Sequence, residues 1–471
     1  MNTKFDMSLK RRLTSVTKVG NIEIGGKNPV RIQSMATTDT NDTEASVAQA
    51  KRIIDAGGEL VRFTTQGIRE AENMKNISAA LKADGYDAPL VADVHFTAHT
   101  ADVAAKYCEK VRINPGNYVD PGRTFKHLEY TDDEYADELK KIERKLVPFL
   151  NICKERHTAV RIGVNHGSLS DRIMSRYGDT PAGIVESCME FLRICRCEKF
   201  NDIVISIKAS NTVVMVTTVR LLVQTMDKEG MHYPLHLGVT EAGEGEDGRI
   251  KSAVGIGALL TEGIGDTIRV SLSEEPEAEI PVARRLVELI PECTELRRNA
   301  VIEYGTLYLD LNASTWEDLQ LKAAMAAGAI LIDKRAGDLR ISCKIENGTQ
   351  AVPTAEQLTS LQDSILQAAR IKFTKTEYIS CPGCGRTLYD LRSTIARIKE
   401  ATKGMVGVKI GIMGCIVNGP GEMADADYGY VGAGRGKISL YKNKECVMKN
   451  IPEEEAVDRL LELIAADRKT D

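Results

Sequence analysis

The chain has 471 residues, of which 43% are hydrophobic and 27% charged, and its formal net charge is −5. This balance is ordinary for a globular protein. It gives no reason to expect nucleic acid as a partner, because no Lys/Arg-rich run stands out. The length predicts two or three domains, since a domain usually has about 100–200 residues.

The sequence shows no targeting or membrane segment. Its start, MNTKFDMSLKRRL, lacks the apolar core of a secretory signal. No stretch reaches the roughly 18 apolar residues that cross a membrane. We therefore expect a cytoplasmic protein with no membrane partner. Its 11 cysteines are then thiols or metal ligands rather than a disulfide framework.

One pattern repeats between residues 31 and 273: a short β-branched run followed by a stretch with helical periodicity. Eight such strands alternating with helices are typical of a TIM barrel. The alternative is an open doubly wound sheet, but the glycine fingerprint that usually follows its first strand is missing. The predicted strands are 31–36, 60–65, 88–96, 110–117, 158–165, 202–210, 233–240 and 266–273.

The remaining sequence predicts a closing helix over 274–297 and two further regions. Residues 298–372 hold the strand-like runs TLYLDL and ILID and two helical stretches, too few elements for a second barrel. We treat them as an insert or linker of uncertain fold. The last region holds a CPGC motif, the strand VKIGIMGC and a Gly-rich turn, which predict a smaller α+β domain. The predicted domains are 1–297, 298–372 and 373–471.

Polar and charged side chains alternate along the carboxyl ends of the predicted barrel strands. Residues i and i+2 of a strand share a face, so the pattern places these side chains together at the barrel mouth, where TIM-barrel active sites lie. The predicted mouth residues are Arg62, Asp93, His95, Arg112, Asn114, Arg161, Asn165, Lys208, Arg269 and Ser271.

Five of these mouth residues are cations, and burying unpaired charge is costly. Arginine offers a donor fork that suits phosphate oxygens, so the set predicts a small phosphorylated substrate. Internal ion pairing with Asp93 and Glu241 is the alternative, yet two acids do not neutralise five bases. Glu241 directly follows the seventh strand, where it handles protons or pairs with Lys208. Asp93 and His95 are acid–base groups or orient the arginines.

Three cysteines and a glutamate predict a metal centre in the last domain. Cys381 and Cys384 form the CPGC motif, Cys415 follows a strand, and Glu422 comes seven residues later. Three thiolates with a different fourth ligand fit a [4Fe–4S] cluster with one distinct iron that binds substrate; Glu422 is the candidate oxygen ligand. A zinc site with Cys446 as fourth ligand and a redox dithiol remain alternatives.

Several motifs together resemble those of the 4-hydroxy-3-methylbut-2-enyl diphosphate synthases of the methylerythritol phosphate pathway. They are VADVHF, RINPGN, RIGVNHGSL, KAS, HLGVTEAG, GDTIRVSL, CPGCGR and MGCIVNGPGE. The resemblance implies a TIM barrel joined to a [4Fe–4S] domain. It also implies the two-electron conversion of 2-C-methyl-D-erythritol 2,4-cyclodiphosphate into 4-hydroxy-3-methylbut-2-enyl diphosphate, with flavodoxin or ferredoxin as electron donor.

The resemblance also implies roles for individual residues. Glu241 matches the family's barrel carboxylate and implies proton delivery, and Glu422 is implied to act at the distinct iron. The implied cluster ligands are Cys381, Cys384, Cys415 and Glu422. The implied diphosphate ligands are Arg112, Asn114, Arg161, Asn165 and Lys208. The implied further mouth residues are Arg62, Asp93, His95 and Arg269.

The sequence departs from the compact form of the family at 298–372, where longer members carry a much larger third domain. The eighth strand ends at the mouth, and the following helix returns the chain to the opposite face. We therefore expect a homodimer in which the second subunit's cluster domain covers each mouth. Closure within one chain is the alternative.

Two other classes of function compete with this interpretation. The first is a phosphate-binding barrel lyase or aldolase with a zinc-stabilised appendage, in which Lys208 forms a Schiff base. The second is an iron–sulfur scaffold or regulator without enzymatic activity, which does not explain five cations at a barrel mouth.

Overall fold

A barrel of parallel strands forms the first half of the computed structural model, which describes residues 11–121, 124, 126–345, 353–387, 389–417 and 419–467. Each of the eight predicted runs contains one strand, and the TIM-barrel prediction is confirmed. The strands are β3 (Arg31–Met35), β4 (Leu60–Thr65), β5 (Leu90–Val94), β6 (Lys110–Ile113), β7 (Ala159–Asn165), β8 (Ile203–Lys208), β9 (His236–Leu237) and β10 (Thr267–Ile268).

The strands close almost completely into a ring. Their order is β8-β7-β6-β5-β4-β3-β10-β9, and a parallel bridge between Ile205 and Leu235 joins the two ends. An antiparallel hairpin, β1 (Val16–Val19) and β2 (Ile22–Gly25), precedes the ring. Its side chains Val19 and Ile24 pack on residues at the amino ends of the barrel strands. The hairpin therefore closes the bottom of the barrel and leaves the carboxyl ends open.

Helices connect the strands and cover the outside of the barrel. Local sequence explains where they begin: α5, for example, starts with a capping box in which Thr131 and Glu134 bond each other's backbone. No described helix is long and apolar enough to cross a bilayer. These helices are α1 (Thr43–Asp55), α2 (Ile68–Ala83), α3 (Ala98–Ala104), α4 (Pro115–Tyr118), α5 (Asp132–Arg156), α6 (Asp171–Tyr177), α7 (Pro181–Cys197), α8 (Thr212–Lys228) and α9 (Gly245–Leu260).

The predicted closing helix is two helices, α10 (Glu279–Glu288) and α11 (Ile290–Arg298). The break coincides with Pro291, which lies in the first turn of α11. Proline has no backbone N–H and its ring clashes with the preceding turn, so a helix that reaches it from the N-terminal side ends or kinks. The single helix predicted over 274–297 is therefore wrong.

The insert contains β11 (Val301–Glu303), β12 (Thr306–Ala313), α12 (Trp316–Ile332), β13 (Asp338–Ile345) and α13 (Ala355–Ala368). Strand β12 pairs in parallel with β13 and antiparallel with β11. The predicted strand ILID is wrong, because its first three residues are the last residues of α12. Every residue of α12 from Asp318 onward is buried, and a short apolar run does not distinguish a buried helix from a strand.

The last part of the chain is an α+β unit, as predicted. Its sheet has the order β14-β15-β16-β17-β18. Strands β14, β15 and β16 run parallel, and the others are antiparallel. The elements are β14 (Glu377–Ser380), α14 (Leu391–Thr402), β15 (Lys409–Met413), α15 (Gly419–Glu422), β16 (Tyr428–Gly434), β17 (Lys437–Lys442), β18 (Glu445–Pro452) and α16 (Glu453–Asp467).

The predicted domain boundaries, with domains 1–297, 298–372 and 373–471, stay predictions. Parts of each predicted domain lie outside the described residues. They are 1–10, 122, 123, 125, 346–352, 388, 418 and 468–471.

The insert carries the chain from the closed end of the barrel back to its mouth. Arg297, at the end of α11, donates to Glu262 at 3.0 Å, just beyond the C-terminal end of α9. At the other end of the insert, the Thr212 hydroxyl donates to the Ala368 carbonyl at 2.5 Å. Because Thr212 begins the helix that follows β8, Ala368 lies on the mouth side. The insert thus spans the height of the barrel along its outer wall.

The C-terminal unit covers the mouth of its own barrel. A parallel bridge joins Ala242 to Ser380, and the Ser273 hydroxyl donates to the Cys381 carbonyl at 3.0 Å. On the opposite side, the Ser210 hydroxyl donates to the Glu422 carbonyl at 2.9 Å. The expectation that a second subunit covers the mouth is wrong, because the folded insert is long enough for closure within one chain.

Two glycines let the insert pack closely on the barrel. A Cβ on Gly328 of α12 would lie 2.6 Å from the Val254 carbonyl oxygen of α9, and a Cβ on Gly257 of α9 would lie 2.5 Å from Met325 of α12. The two helices therefore touch backbone to backbone at this point, which fixes the insert against the barrel.

Gly328→Leu is expected to lower the stability of the chain by about 1–3 kcal/mol, the usual cost of overpacking. By helix propensity alone, the same change is favourable by close to 1 kcal/mol, so a loss reports the helix contact. Gly337→Leu is the control, because nothing lies within 4 Å of its Cβ position. Urea and thermal unfolding of both variants provide the measurement. If Gly328→Leu were as stable as the unchanged protein, the close contact would be contradicted.

Candidate active site

A cavity lies between the barrel mouth and the C-terminal unit. Most of the residues predicted from the sequence line it, and the structure brings barrel and cysteine motifs together in one wall. The predicted residues in the wall are Arg62, Asp93, Arg112, Arg161, Asn165, Lys208, Glu241, Arg269, Ser271, Cys381, Cys384 and Cys415. Arg386 and Met35 also line it and were not predicted, and Thr240, from the end of the seventh predicted strand, lines it as well.

Three predicted residues are not part of the cavity lining. Asn114 caps α4 by accepting from the Gly116 N–H at 3.2 Å, and it donates to the Ser168 hydroxyl at 2.7 Å. His95 lies behind Arg112 and contacts its guanidinium. Glu422 reaches the barrel edge, where it accepts from the Thr240 hydroxyl at 2.9 Å. The functional roles of the predicted site residues stay predictions.

His95 is suited to orienting Arg112 rather than to exchanging protons. Burial, reinforced by the neighbouring Arg112 charge, holds the pKa of His95 well below its usual range. The neutral ring then accepts from the guanidinium through one nitrogen, while its other nitrogen lies 3.2 Å from the Asn117 amide nitrogen. Of the two interpretations of this histidine, the structure favours the orienting one.

Two of the five barrel cations have carboxylate partners. Arg112 donates to Asp93 at 2.9 Å and to the Asn165 side chain at 3.0 Å. Arg269 binds both oxygens of Glu279, at 2.9 and 3.1 Å. Glu279 was missed by the sequence analysis; its only cue is its position at the start of the helix after the eighth strand. For these two arginines, internal ion pairing accounts for the charge.

The other three barrel cations have no carboxylate partner among the described residues. Arg62 donates only to the Met35 sulfur, at 2.7 and 3.1 Å. Two nitrogens of the Arg161 guanidinium have no hydrogen-bond partner, although the side chain is 1% exposed. Lys208 is 4% exposed, and no acceptor for its ammonium lies within the described part of the chain. These groups leave net positive charge buried in the cavity.

The pKa values of these three cations are lowered by burial and by the excess of positive charge around them. Burial lowers the pKa of Arg62 to about 10, and the charges of Arg269 and Arg112 act in the same direction while Asp93 opposes them. Burial and the neighbouring arginines hold the pKa of Arg161 and of Lys208 well below their usual ranges. An anion in the cavity would favour the charged form of every one of these groups. The barrel mouth is therefore built for an anionic ligand.

Two carboxyl groups face each other across the seam between barrel and C-terminal unit. Glu241 and Glu422 are both buried, and their carboxyl groups lie close enough for a proton on one to bridge to the other. Burial raises the pKa of Glu422 well above its usual range, and the charge of Glu241 adds to this effect. Burial raises the pKa of Glu241 as well. Glu241 also has a positive φ of 50°, which is uncommon for a residue with a side chain.

The three cysteines of the predicted centre lie at one edge of the C-terminal sheet. Cys381 and Cys384 follow β14, Cys415 follows β15, and these strands are parallel neighbours. Burial raises the pKa of Cys381, as do Glu241 and the other two thiols. Cys446 lies on β18, three strands from β15, which corresponds to about 14 Å across the sheet. The sheet order therefore separates Cys446 from the other cysteines.

The residues present fit an iron–sulfur cluster. Among the described residues, no three His, Cys, Asp or Glu side chains converge on one point as a single ion requires. The three thiols instead line one cavity, as a group that contains several irons requires. Glu422, at the barrel edge beside this cavity, would supply an oxygen ligand.

Two family models match the chain. The GcpE TIM-barrel domain matches residues 14–284, and the GcpE protein C-terminal domain matches residues 377–466.

The chain belongs to the GcpE family.

Curated relatives extend this result to almost the whole chain. A 4-hydroxy-3-methylbut-2-en-1-yl diphosphate synthase (flavodoxin) from Bacteroides fragilis is 52% identical, and the alignment covers 97% of this chain and 96% of that protein. The protein of the same name from Porphyromonas gingivalis is 44% identical over 97% of each chain. The first alignment runs over 606 positions although this chain has 471 residues. That relative therefore carries segments that this GcpE-family chain lacks.

Among solved structures, the N-acetylneuraminic acid synthetase of Leptospira borgpetersenii shows 12% identity and a TM-score of 0.38. The match covers 62% of this chain and 93% of that one. A score this low supports no conclusion about fold or function.

The difference between paired and unpaired arginines predicts opposite effects on stability. Arg161→Met removes a buried charge without a carboxylate partner and is expected to raise stability by about 1–3 kcal/mol. Arg269→Met leaves Glu279 buried and unpaired, and it is expected to lower stability by about 3–5 kcal/mol. Thermal unfolding of both variants without added anion checks the signs. A loss for Arg161→Met as large as that for Arg269→Met would show that Arg161 has an internal partner.

Proposed function

We propose that the chain reduces 2-C-methyl-D-erythritol 2,4-cyclodiphosphate to 4-hydroxy-3-methylbut-2-enyl diphosphate, opening the ring and releasing water. Membership of the GcpE family and the names of the curated relatives support this activity. One observation supports it in this structure: unpaired barrel cations, Glu241 and three thiols line a single cavity, and Glu422 faces Glu241 at the edge of that cavity. A lyase or aldolase with a zinc appendage has no use for this combination.

The barrel cations are the proposed diphosphate site. Arg161 has two donors without an acceptor, Lys208 lines the same cavity without a carboxylate partner among the described residues, and Arg62 gives up only a thioether contact when an anion binds. Charge-assisted hydrogen bonds to phosphate are short and strong. Asn165 and Ser271 add neutral donors at the cavity wall. A cyclic diphosphate would thus be held with its ring toward the C-terminal unit.

Cys381, Cys384, Cys415 and Glu422 are the proposed ligands of a [4Fe–4S] cluster. When bound there, such a cluster would supply the electrons that the reduction needs. The protein contributes the positions of these ligands: backbone N–H of Gly383 donates to the Cys381 sulfur at 3.3 Å, which stabilises its thiolate. Glu422 lies at the seam because the backbone around it is bonded to Ser210 of the barrel.

Glu241 is the proposed proton donor for the hydroxyl that leaves as water. A hydroxyl leaves readily only when it is protonated, so the reaction needs a carboxyl group that still holds its proton near neutral pH. Burial raises the pKa of Glu241, and its carboxyl group lies beside Glu422, the proposed metal ligand. The strained backbone at Glu241 is consistent with a side chain held in one functional orientation.

The proposed electron donor is flavodoxin, which appears in the names of the relatives. Ferredoxin is the alternative donor that the motif resemblance implies. A homodimer remains part of the proposal. It is not needed to complete the site, because the contacts across the seam come from one chain.

The metal content tests the cluster proposal. Protein purified without oxygen is expected to contain about four irons and four sulfides per chain, as a cubane requires. Cys381→Ser, Cys384→Ser and Cys415→Ser are expected to lose both. Cys446→Ser is the matched control from the same sheet and is expected to keep them. Zinc in place of iron, or bleaching by Cys446→Ser, would refute the assignment.

Mixing two inactive variants tests closure within one chain. Arg161→Ala lacks a barrel cation and Cys415→Ser lacks a cluster ligand, so neither chain can form an intact site. Since each cluster unit covers its own barrel, mixtures are expected to stay inactive even when subunits exchange. Exchange is checked with differently tagged chains. Recovery of activity in the mixture would show that sites are shared between subunits.

A further inference from the structure

Arg386 extends from the C-terminal unit into the cavity. The roles predicted from the sequence do not include this residue. It follows the CPGCG segment directly, and its side chain is 7% exposed. The backbone before it is pressed onto the barrel, because a Cβ on Gly385 would lie 2.7 Å from the Thr38 carbonyl oxygen. The direction of the Arg386 side chain is thus set by contact between the two halves of the protein.

The guanidinium of Arg386 lies between a cysteine of the proposed cluster and an acid of the barrel. Nη1 donates to the Cys384 sulfur at 3.8 Å. Nη2 forms an ion pair with Asp93 at 3.6 Å, too long for a hydrogen bond. Asp93 accepts its hydrogen bond from Arg112 at 2.9 Å instead. Nη2 of Arg386 is consequently a buried donor without a hydrogen-bond acceptor among the described residues.

We propose that Arg386 couples the two halves of the site, donating to the Cys384 thiolate through Nη1 and to an oxygen of the bound diphosphate through Nη2. This inference rests on the proposed function. Asp93 serves two arginines and hydrogen-bonds only one of them, so an incoming phosphate oxygen gives Arg386 the acceptor it lacks. Arg386 is then the cation that the C-terminal unit contributes to a site otherwise built from barrel cations.

Two measurable consequences follow from this position. Hydrogen bonds and positive charge next to a cluster sulfur stabilise the reduced, more negative state and raise the reduction potential. Removal of the guanidinium therefore lowers the potential of the substrate-free cluster. Loss of one charge-assisted hydrogen bond also weakens diphosphate binding by about 10-fold or more.

The test compares Arg386→Gln and Arg386→Lys with the control Arg392→Gln in iron-loaded protein. Arg392 forms an ion pair with Glu275 at 2.5 Å across the same seam but does not line the cavity. Midpoint potentials are measured without substrate, and binding of the cyclodiphosphate is measured by calorimetry without reductant. Arg386→Gln is expected to lower the potential and weaken binding about 10-fold or more. Arg386→Lys keeps the charge and is expected to fall between it and the unmodified protein.

Unchanged potential and affinity in Arg386→Gln would overturn the proposal. Equal shifts in Arg392→Gln would overturn it too, because they would trace both effects to a loosened seam. A failure of the proposed function looks different: the unmodified protein would then bind no cyclodiphosphate. The potential of the substrate-free cluster still decides in that case whether Arg386 acts on Cys384.

Discussion

Positive charge buried in the barrel mouth is the constraint on which the site depends. Arg62, Arg161 and Lys208 are enclosed without a carboxylate among the described residues, and their charged forms are disfavoured until an anion arrives. A chain selected only for stability would pair or remove these groups. The barrel supplies the free energy to hold them through its continuous apolar core, which surrounds the polar interior on all sides.

Closure of the mouth depends on how the chain travels between its two halves. The insert leaves from the closed end at Arg297, packs α12 on α9 through Gly328, and returns to the mouth at Ala368. The cysteine edge of the C-terminal sheet is thereby placed over the barrel cations. The facing carboxyl groups of Glu241 and Glu422 exist only because of this placement, since each half contributes one of them.

Glycines in two motifs have a physical explanation in the seam. A Cβ on Gly421 would lie 1.6 Å from the Gly167 carbonyl oxygen, and a Cβ on Gly167 would lie 2.4 Å from the Glu422 backbone nitrogen. The NHGS segment of the barrel and the GPGE segment of the C-terminal unit therefore touch backbone to backbone. This contact holds Glu422 within reach of Thr240, and a side chain at either glycine would move Glu422 away.

The sequence by itself determined the eight barrel strands, the shared face of their charged residues and the grouping of three cysteines in the last domain, because strand periodicity and short motifs are local properties of the chain. Only the tertiary structure decided which cations are neutralised. Glu279 reaches Arg269 from a helix, and Arg386 reaches the cavity from a loop; the direction of both depends on packing. Asn114 has the right spacing yet caps α4. Closure within one chain was equally hidden, since it depends on how a folded insert packs along α9 rather than on its length.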